Sequence, residues 1–313
     1  MDTKTMKTSC LINNYNYAGF LMEAVSSVLN QTVKFDEIII VDDASTDNSA
    51  EIAAKLVRET NIKCILKEKN QGQLSCFNEG FLAATGDIIF FLDADDMYER
   101  QYLEHALNFY RRHRECDFMF CAYNKFGAVE GTFQADAVDL DLGYSVMRTL
   151  CMGEWIGSIT STLSMRREIL RKFLPIPYIE DWRVRADDCL VWGASLVGAK
   201  KFYMSKPLVR YRIHGNNHYH SSKLAIDTNY EYKRFLKCNS LFNYIIQKNN
   251  FSLPLSVSLT SLDEFKTIPS PKLKDFIVYF KIVFLFERNF YSKMKGIVSL
   301  FGYLLKNLVS GKL

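Results

Sequence analysis

The sequence predicts an α/β protein built on a parallel, Rossmann-like sheet, and three observations carry that expectation. Short apolar runs alternate with segments of helical periodicity over residues 1–100. Polar or glycine-containing loops separate them, and the fourth run, Asp87–Leu92, is apolar throughout, as expected for a strand covered on both faces. Strands that alternate with helices enter a parallel sheet through right-handed crossovers.

The elements follow in order. Ser9–Ile12 is an apolar run ending in Asn13 and Asn14, and Phe20–Leu29 has apolar residues at helical spacing, which gives strand, loop, helix. Glu37–Val41 is a β-branched run that stops at Asp42 and Asp43. Ser45-Thr46-Asp47 then offers a cap for a helix over Ala50–Val57. Lys63–Leu66 predicts a third strand and Gln73–Ala84 a helix. After the fourth strand come a helix over Arg100–Glu115 and a strand around Phe118–Tyr123. From Asn124 to Gly143 the pattern loosens into acidic and glycine-containing loops. Helices are expected at Tyr144–Cys151 and Asp187–Val197, and strands near Ser158–Met165 and Lys200–Ile213.

Phe276–Phe286 is almost wholly apolar, but Lys281 interrupts it and Glu287-Arg288 closes it, short of the roughly 20 residues of a spanning helix. From Met294 on, Ile297, Val298, Phe301, Leu304, Leu305 and Leu308 recur at helical spacing beside Lys293, Lys295, Lys306 and Lys312. Two readings stay open for this basic, aromatic-rich segment: contact with an anionic membrane surface, or packing on the rest of the chain or on a second copy in a homo-oligomer. The expected division is a domain over residues 1–215, with halves 1–100 and 101–215, and a helical extension over 216–313.

Composition narrows the function classes. With 313 residues, 48% of them hydrophobic and 24% charged, the chain has ample material for a core, and disorder of the whole is excluded. A formal charge of +4 is too mild to argue for a nucleic-acid partner. The eight cysteines form no CxxC pair and no metal-finger spacing, so they read as buried thiols of a reducing compartment. The polar segment Met1–Thr8 lacks the apolar stretch of a secretory signal. A cytoplasmic location, or one peripheral at the inner face of the membrane, is the expectation.

In open α/β sheets ligands bind beyond the carboxyl ends of the strands, and those ends carry Asn13, Asp42, Asp43, Asp93 and Asp95. The run Phe90-Phe91-Leu92-Asp93-Ala94-Asp95-Asp96 sets three carboxylates at the mouth of a buried strand, where each must be paired, solvated or bound to a cation. Carboxylate oxygens suit Mg²⁺ or Mn²⁺, with phosphate oxygens completing the shell. A solvated turn is the plain alternative.

Five pieces stand in a characteristic order. They are Ser9-Cys10-Leu11-Ile12-Asn13-Asn14-Tyr15-Asn16, Glu37 to Asp47, Asn70-Gln71-Gly72-Gln73, Asn78-Glu79-Gly80, and Ala84-Thr85-Gly86-Asp87 leading into Asp93-Ala94-Asp95-Asp96. Together they resemble the nucleotide-binding half of family 2 glycosyltransferases of the GT-A fold. The resemblance implies an inverting hexosyl- or N-acetylhexosaminyl-transferase. Its donor would be a nucleotide diphosphate sugar, UDP-linked by family weight. Its acceptor would be a saccharide or lipid-linked saccharide, in keeping with bacterial surface glycan synthesis.

Residue by residue, the resemblance sets Tyr15 near the base and Asp43 at the uracil N–H with Asp42 alongside. Asn13, Gln73, Asp93 and Ala94 fall on the donor, and Asp93 also lies near the metal. Asp95 matches the direct metal ligand of a DxD motif, and Asp96 a structural acid. Phe77 stands where the family usually has Arg. The segment Arg185-Ala186-Asp187-Asp188-Cys189-Leu190 resembles the element that carries the general base. Its register favours Asp187, but the family's preceding Glu is Ala186 here, so Asp188 stays open, as does simple helix capping by both. Val209 to Asn217 resembles the segment whose His approaches the metal. His214 is therefore a candidate ligand and Arg212 a candidate phosphate contact, whereas His218 and His220 read as surface residues. Trp155 is a candidate for stacking on an acceptor sugar, or a core residue.

Two other functions fit the residues less well. A sugar-nucleotide nucleotidyltransferase needs a Gly-rich, basic phosphate loop near the first strand, which Asn13–Gly19 lacks. A catalytically silent homologue that binds nucleotide or scaffolds an assembly at the membrane sits poorly with intact acids at Asp93, Asp95 and Asp187.

Overall fold

The computed structural model describes residues 6–215, 228–251 and 256–309. The first half alternates as its periodicity predicts. Strand β1 (Thr8–Asn14) leads to helix α1 (Ala18–Leu29), β2 (Glu37–Asp42) to α2 (Ser49–Glu59), and β3 (Lys63–Leu66) to α3 (Gln73–Ala83), before β4 (Ile88–Asp93). β1 pairs in parallel with both β2 and β4, and β2 with β3.

The period-two alternation of these strands feeds two separate cores. Cys10, Ile12, Ile38, Ile40, Phe90 and Leu92 face one side, against α1 and α4 (Tyr102–Arg112). Leu11, Ile39, Val41, Ile89 and Phe91 face the other, against α3. Phe77 belongs to this second core, 1% exposed and edge-on to Phe91 with ring centroids 5.3 Å apart. That position has become packing surface.

The second half extends the same sheet. Strands β5 (Met97–Tyr98), β6 (Phe118–Gly127), β7 (Gly131–Phe133), β8 (Leu140–Gly143), β9 (Ser164–Arg166) and β10 (Lys201–Ile213) bring it to ten strands, in the order β3-β2-β1-β4-β9-β6-β10-β5, with β7 on β6 and β8 on β10. β9 runs antiparallel between β4 and β6 and so joins the two halves. The region expected to be loop, 124–143, holds the end of β6 and two short strands. The exposed three-residue β7 is too short to show alternation. Only the end of the strand expected over Ser158–Met165 forms, because Thr160–Thr162 winds into a 3₁₀ turn.

Helices α5 (Val146–Met152), α6 (Arg167–Phe173), α7 (Asp187–Leu196) and α8 (Thr228–Lys248) follow. α6 and α7 cover the α3 side of the sheet, and α8 adds Leu241 and Ile245 to the same core. Helices α9 (Val257–Lys266), α10 (Leu273–Phe286) and α11 (Phe290–Val309) gather around Phe265, Tyr279, Ile282, Val283 and Leu300, together with Met147 of α5. Buried Glu264 accepts the Met147 N–H (2.9 Å) and the Tyr279 hydroxyl (3.0 Å), while Arg148 lies between Glu154 and Asp275. This ties the last three helices to the start of α5. Among the described residues no helix is long and apolar enough to cross a membrane.

Candidate active site

The polar residues ending β1, β2 and β4 converge on one edge of the sheet because the three strands are parallel and in register: Asn13 lies opposite both Val41 and Asp93. Asn13 donates its amide to Asp93 Oδ1 at 2.6 Å. Asn14 does the same to Asp42 Oδ1 at 2.6 Å, and Asp42 also accepts the Ser45 N–H at 2.9 Å. Buried Asp42 therefore shapes the β2–α2 loop. Asp43, 2% exposed, takes Gln71 N–H (3.0 Å), Gly72 N–H (2.7 Å) and the ammonium of Lys67, which also reaches Ser75. Tyr15 stands exposed at the tip of this loop system.

Asp93, Asp95 and Asp96 form a cluster in which one oxygen from each lies within 4.8 Å of the others. Asp96 is fully buried and turned inward, accepting Ser161 Oγ–H (2.6 Å) and Arg212 N–H (2.9 Å). Burial first, and the Asp95 charge second, hold the Asp93 carboxyl above the ordinary carboxylate range. Asp95 Oδ2 lies 2.9 Å from His214 Nε2, and the His214 ring packs against Phe20 and Tyr17 at centroid distances of 5.1 and 5.7 Å. The Tyr17 phenol is raised by burial and then by the charges of Asp95, Asp93 and Asp96. Three carboxylates gathered this closely could hold a hard divalent cation, whose oxygen preference matches this donor set. Ala94 is buried and its N–H bonds to the Asn13 carbonyl (3.1 Å). Arg212, a candidate phosphate contact, donates instead to the Asp95 carbonyl (2.8 Å) and to Glu23 (2.6 Å), above the rings of Phe20 and Phe126.

The second set of acids reaches the same edge from α7. Gln73, first residue of α3, spans the gap: its amide donates to Asp93 Oδ1 (3.1 Å) and its carbonyl accepts the Ala186 N–H (3.0 Å). Gly72 makes this approach possible, with φ +86° and a position where a Cβ would lie 2.2 Å from Arg183 Cα. Backbone bonds complete the crossing, Gln73 N–H to Arg183 O (2.9 Å) and Leu74 N–H to Trp182 O (3.3 Å).

Asp187 and Asp188 open α7, where the helix N-terminus favours anionic groups, yet they face different surroundings. The Asp187 carboxyl is pushed up to about 7, by burial first and then by the charges of Asp188 and Asp93. Asp188 is 2% exposed, with Oδ2 at 3.6 Å from both Arg185 and Arg234. Burial holds its carboxyl above the ordinary range, and the two guanidinium groups, together with a hydrogen bond from Trp155, offset this only in part. Trp155, exposed, thus lies beside Asp188.

The structure brings Asn13, Gln73, Asp93, Asp95, His214, Asp187 and Asp188 to one edge of the sheet. His218 and His220 lie outside the described residues. Two contributors escaped sequence reasoning. Lys67 directly follows β3, a strand end that the same positional rule would have flagged. Arg234 comes from a polar helix with no motif around it.

A mixed sheet whose parallel half ends in clustered acids, with a second acidic pair across a short gap, is the architecture of a GT-A nucleotide-sugar transferase. The chain belongs to glycosyl transferase family 2, whose family model matches residues 9–174. It is 37% identical over 226 residues to "uncharacterized glycosyltransferase alr2836" of Nostoc sp., covering 70% of this chain and 69% of the relative. It is 34% identical over 125 residues to the putative teichuronic acid biosynthesis glycosyltransferase TuaG of Bacillus subtilis, covering 40% and 49% of the two chains. Among solved structures, S. aureus TarS 1-349 in complex with UDP-GlcNAc superposes with a TM-score of 0.60 at 18% identity, over 98% of this chain and 92% of that one. That last likeness speaks to the fold.

Proposed function

We propose that this glycosyltransferase inverts configuration, uses a divalent cation, and moves a sugar from a UDP-linked donor to a hydroxyl of a saccharide or lipid-linked saccharide in surface glycan synthesis. The observation that carries the reading is the Gln73 bridge. It ties Asp93, on the donor side, to the backbone just before Asp187, so the two acidic groups share one small site. The UDP-GlcNAc bound to TarS supports a UDP-linked N-acetylhexosamine as first donor to try, and the teichuronic acid role in the name of TuaG supports the glycan context.

Asp93 and Asp95, with His214 against Asp95, would hold Mg²⁺ or Mn²⁺, which supplies positive charge against the diphosphate as it leaves. The chain's own residues do the rest. In this reading Asp43 and Tyr15 would meet the uracil base, with Asp42 and Asn13 fixing the loops beneath them. Asp187 Oδ takes the proton of the acceptor hydroxyl, the oxygen bonds to the anomeric carbon from the face opposite the diphosphate, and the bond from that carbon to the phosphate oxygen breaks. One configuration is thereby inverted. A carboxyl held near 7 suits this task, since it is a better proton acceptor than an ordinary aspartate yet still ionised at neutral to mildly alkaline pH. Trp155 and the mouth of α7 form the acceptor side.

The test is a panel of sugar nucleotides incubated with the protein and Mn²⁺, scored for release of nucleoside diphosphate. UDP-linked sugars should be hydrolysed slowly with Mn²⁺ and not with EDTA. Equal turnover in EDTA would overturn the cation assignment, and preference for GDP- or TDP-sugars the UDP assignment.

A further inference from the structure

Helices α10 and α11 have two apolar faces, not one. Their inner faces bury Ile282, Val283, Leu300 and Leu304 in the C-terminal helical cluster and its contact with α5. A surface helix with its inner stripe so satisfied normally turns polar residues outward. Here the outer face carries Phe284, Leu285, Phe290, Val298, Phe301 and Leu305, each 43% to 76% exposed. The two helices form one surface: the Phe276 and Phe301 rings are 6.2 Å apart, Phe280 stacks on Phe284, and the Lys293 ammonium lies over the Phe284 ring at 5.3 Å. Exposed apolar surface that is this continuous marks a contact site.

The charges around it choose the partner. Lys274, Lys281, Arg288, Lys295 and Lys306 are exposed on these helices and at their junction, and none enters an ion pair among the described residues. The acids of α10 and its closing turn are both engaged: Asp275 pairs with Arg148 (3.0 Å), and Glu287 accepts Ser258 N–H (3.0 Å) and Asn289 N–H (3.1 Å). A second copy meeting this face about a two-fold axis would set lysines against lysines. An anionic lipid surface answers both features, apolar side chains entering the acyl boundary and lysines meeting headgroups. We infer that the outer face of α10 and α11 seats the enzyme in the plane of an anionic membrane. This goes beyond the transferase reading and does not depend on it.

The experiment is flotation of the full chain with vesicles of phosphatidylcholine alone or with about 30 mol% phosphatidylglycerol. Binding is expected on the anionic vesicles, weak binding on the neutral ones, and loss on raising salt to about 0.5 M. The double variant Val298→Glu, Phe301→Glu should bind at least about tenfold less while melting at the same temperature and hydrolysing donor at the same rate. A triple Lys→Gln variant at Lys281, Lys295 and Lys306 keeps the apolar face and should lose the preference for anionic vesicles. Three results would overturn the inference: no flotation of the full chain, equal flotation of the glutamate variant, or a concentration-dependent dimer in light scattering that the same substitutions dissolve.

Discussion

Exchanging Asp187 for Asn removes a negative charge that the folded chain holds at a cost. A carboxyl near 7 in place of the ordinary 3.8 binds its proton more tightly in the folded state, so stability declines as pH rises between those values and the loss is complete above them. At about 1.4 kcal/mol per pH decade, a rise from 3.8 to about 7 puts the penalty at pH 8 between about 4 and 5 kcal/mol. Solvent reaching the half-buried residue trims it to roughly 2–4. Asp187→Asn should therefore raise the melting temperature at pH 8 by about 3–6 °C for a chain of this size, and change it little near pH 4. Turnover should fall by about 10²- to 10⁴-fold with UDP affinity retained.

Asp188→Asn should differ. Burial raises that carboxyl too, which favours the neutral amide at pH 8, but the exchange also removes the anion facing Arg185 and Arg234, so stability should change by no more than about 1 kcal/mol, with a much smaller effect on rate. Calorimetric melts at the two pH values, with transfer and UDP titration on both variants, decide it. An Asp187→Asn enzyme that keeps more than about a tenth of its rate, or is destabilised at pH 8, refutes the assignment of the base.

Three further outcomes are expected. The rate should rise with pH along a limb near or somewhat below 7, since Asp187 acts only when ionised and a bound cation would lower its pKa. Asp188→Asn should keep a limb but move it to lower pH, since the Asp188 charge helps to hold the Asp187 carboxyl up. Asp95→Asn should abolish metal-dependent UDP binding in calorimetry, and His214→Ala should weaken Mn²⁺ by about 10- to 100-fold. Unchanged Mn²⁺ affinity in His214→Ala would remove His214 from the cation site. Gly72→Ala should cost about 2–4 kcal/mol in a denaturant titration, because the left-handed backbone and the clash with Arg183 both penalise a Cβ. A neutral outcome would mean the crossing of the two loops can relax.

The parallel half was legible because each buried strand spends its apolar residues and then stops abruptly at an acid or amide, as Val41 gives way to Asp42 and Leu92 to Asp93. Even Phe77, an oddity in sequence, resolves once it is seen packed on Phe91. Much of the other half lacks such contrast. β7 is exposed on every residue, and Thr160–Thr162 reads as β-branched strand yet turns to let Ser161 reach Asp96. The partners of Asp188 were beyond periodicity altogether. Arg234 arrives from some fifty residues downstream, through a helix whose approach only tertiary packing determines.

The crossing of Gly72-Gln73 with Trp182 to Ala186 has a consequence for protein engineering. The joint is made by main-chain groups and one carboxamide, so it is indifferent to most side chains on either strand of the joint. Recombining this chain with a relative to redirect its acceptor should therefore keep catalytic spacing wherever the cut leaves both short segments from one parent. A cut between Arg183 and Asp187 would import an acid whose distance from Asp93 was set by a different loop. The interchangeable cassette thus begins before Trp182, well upstream of the acid it delivers.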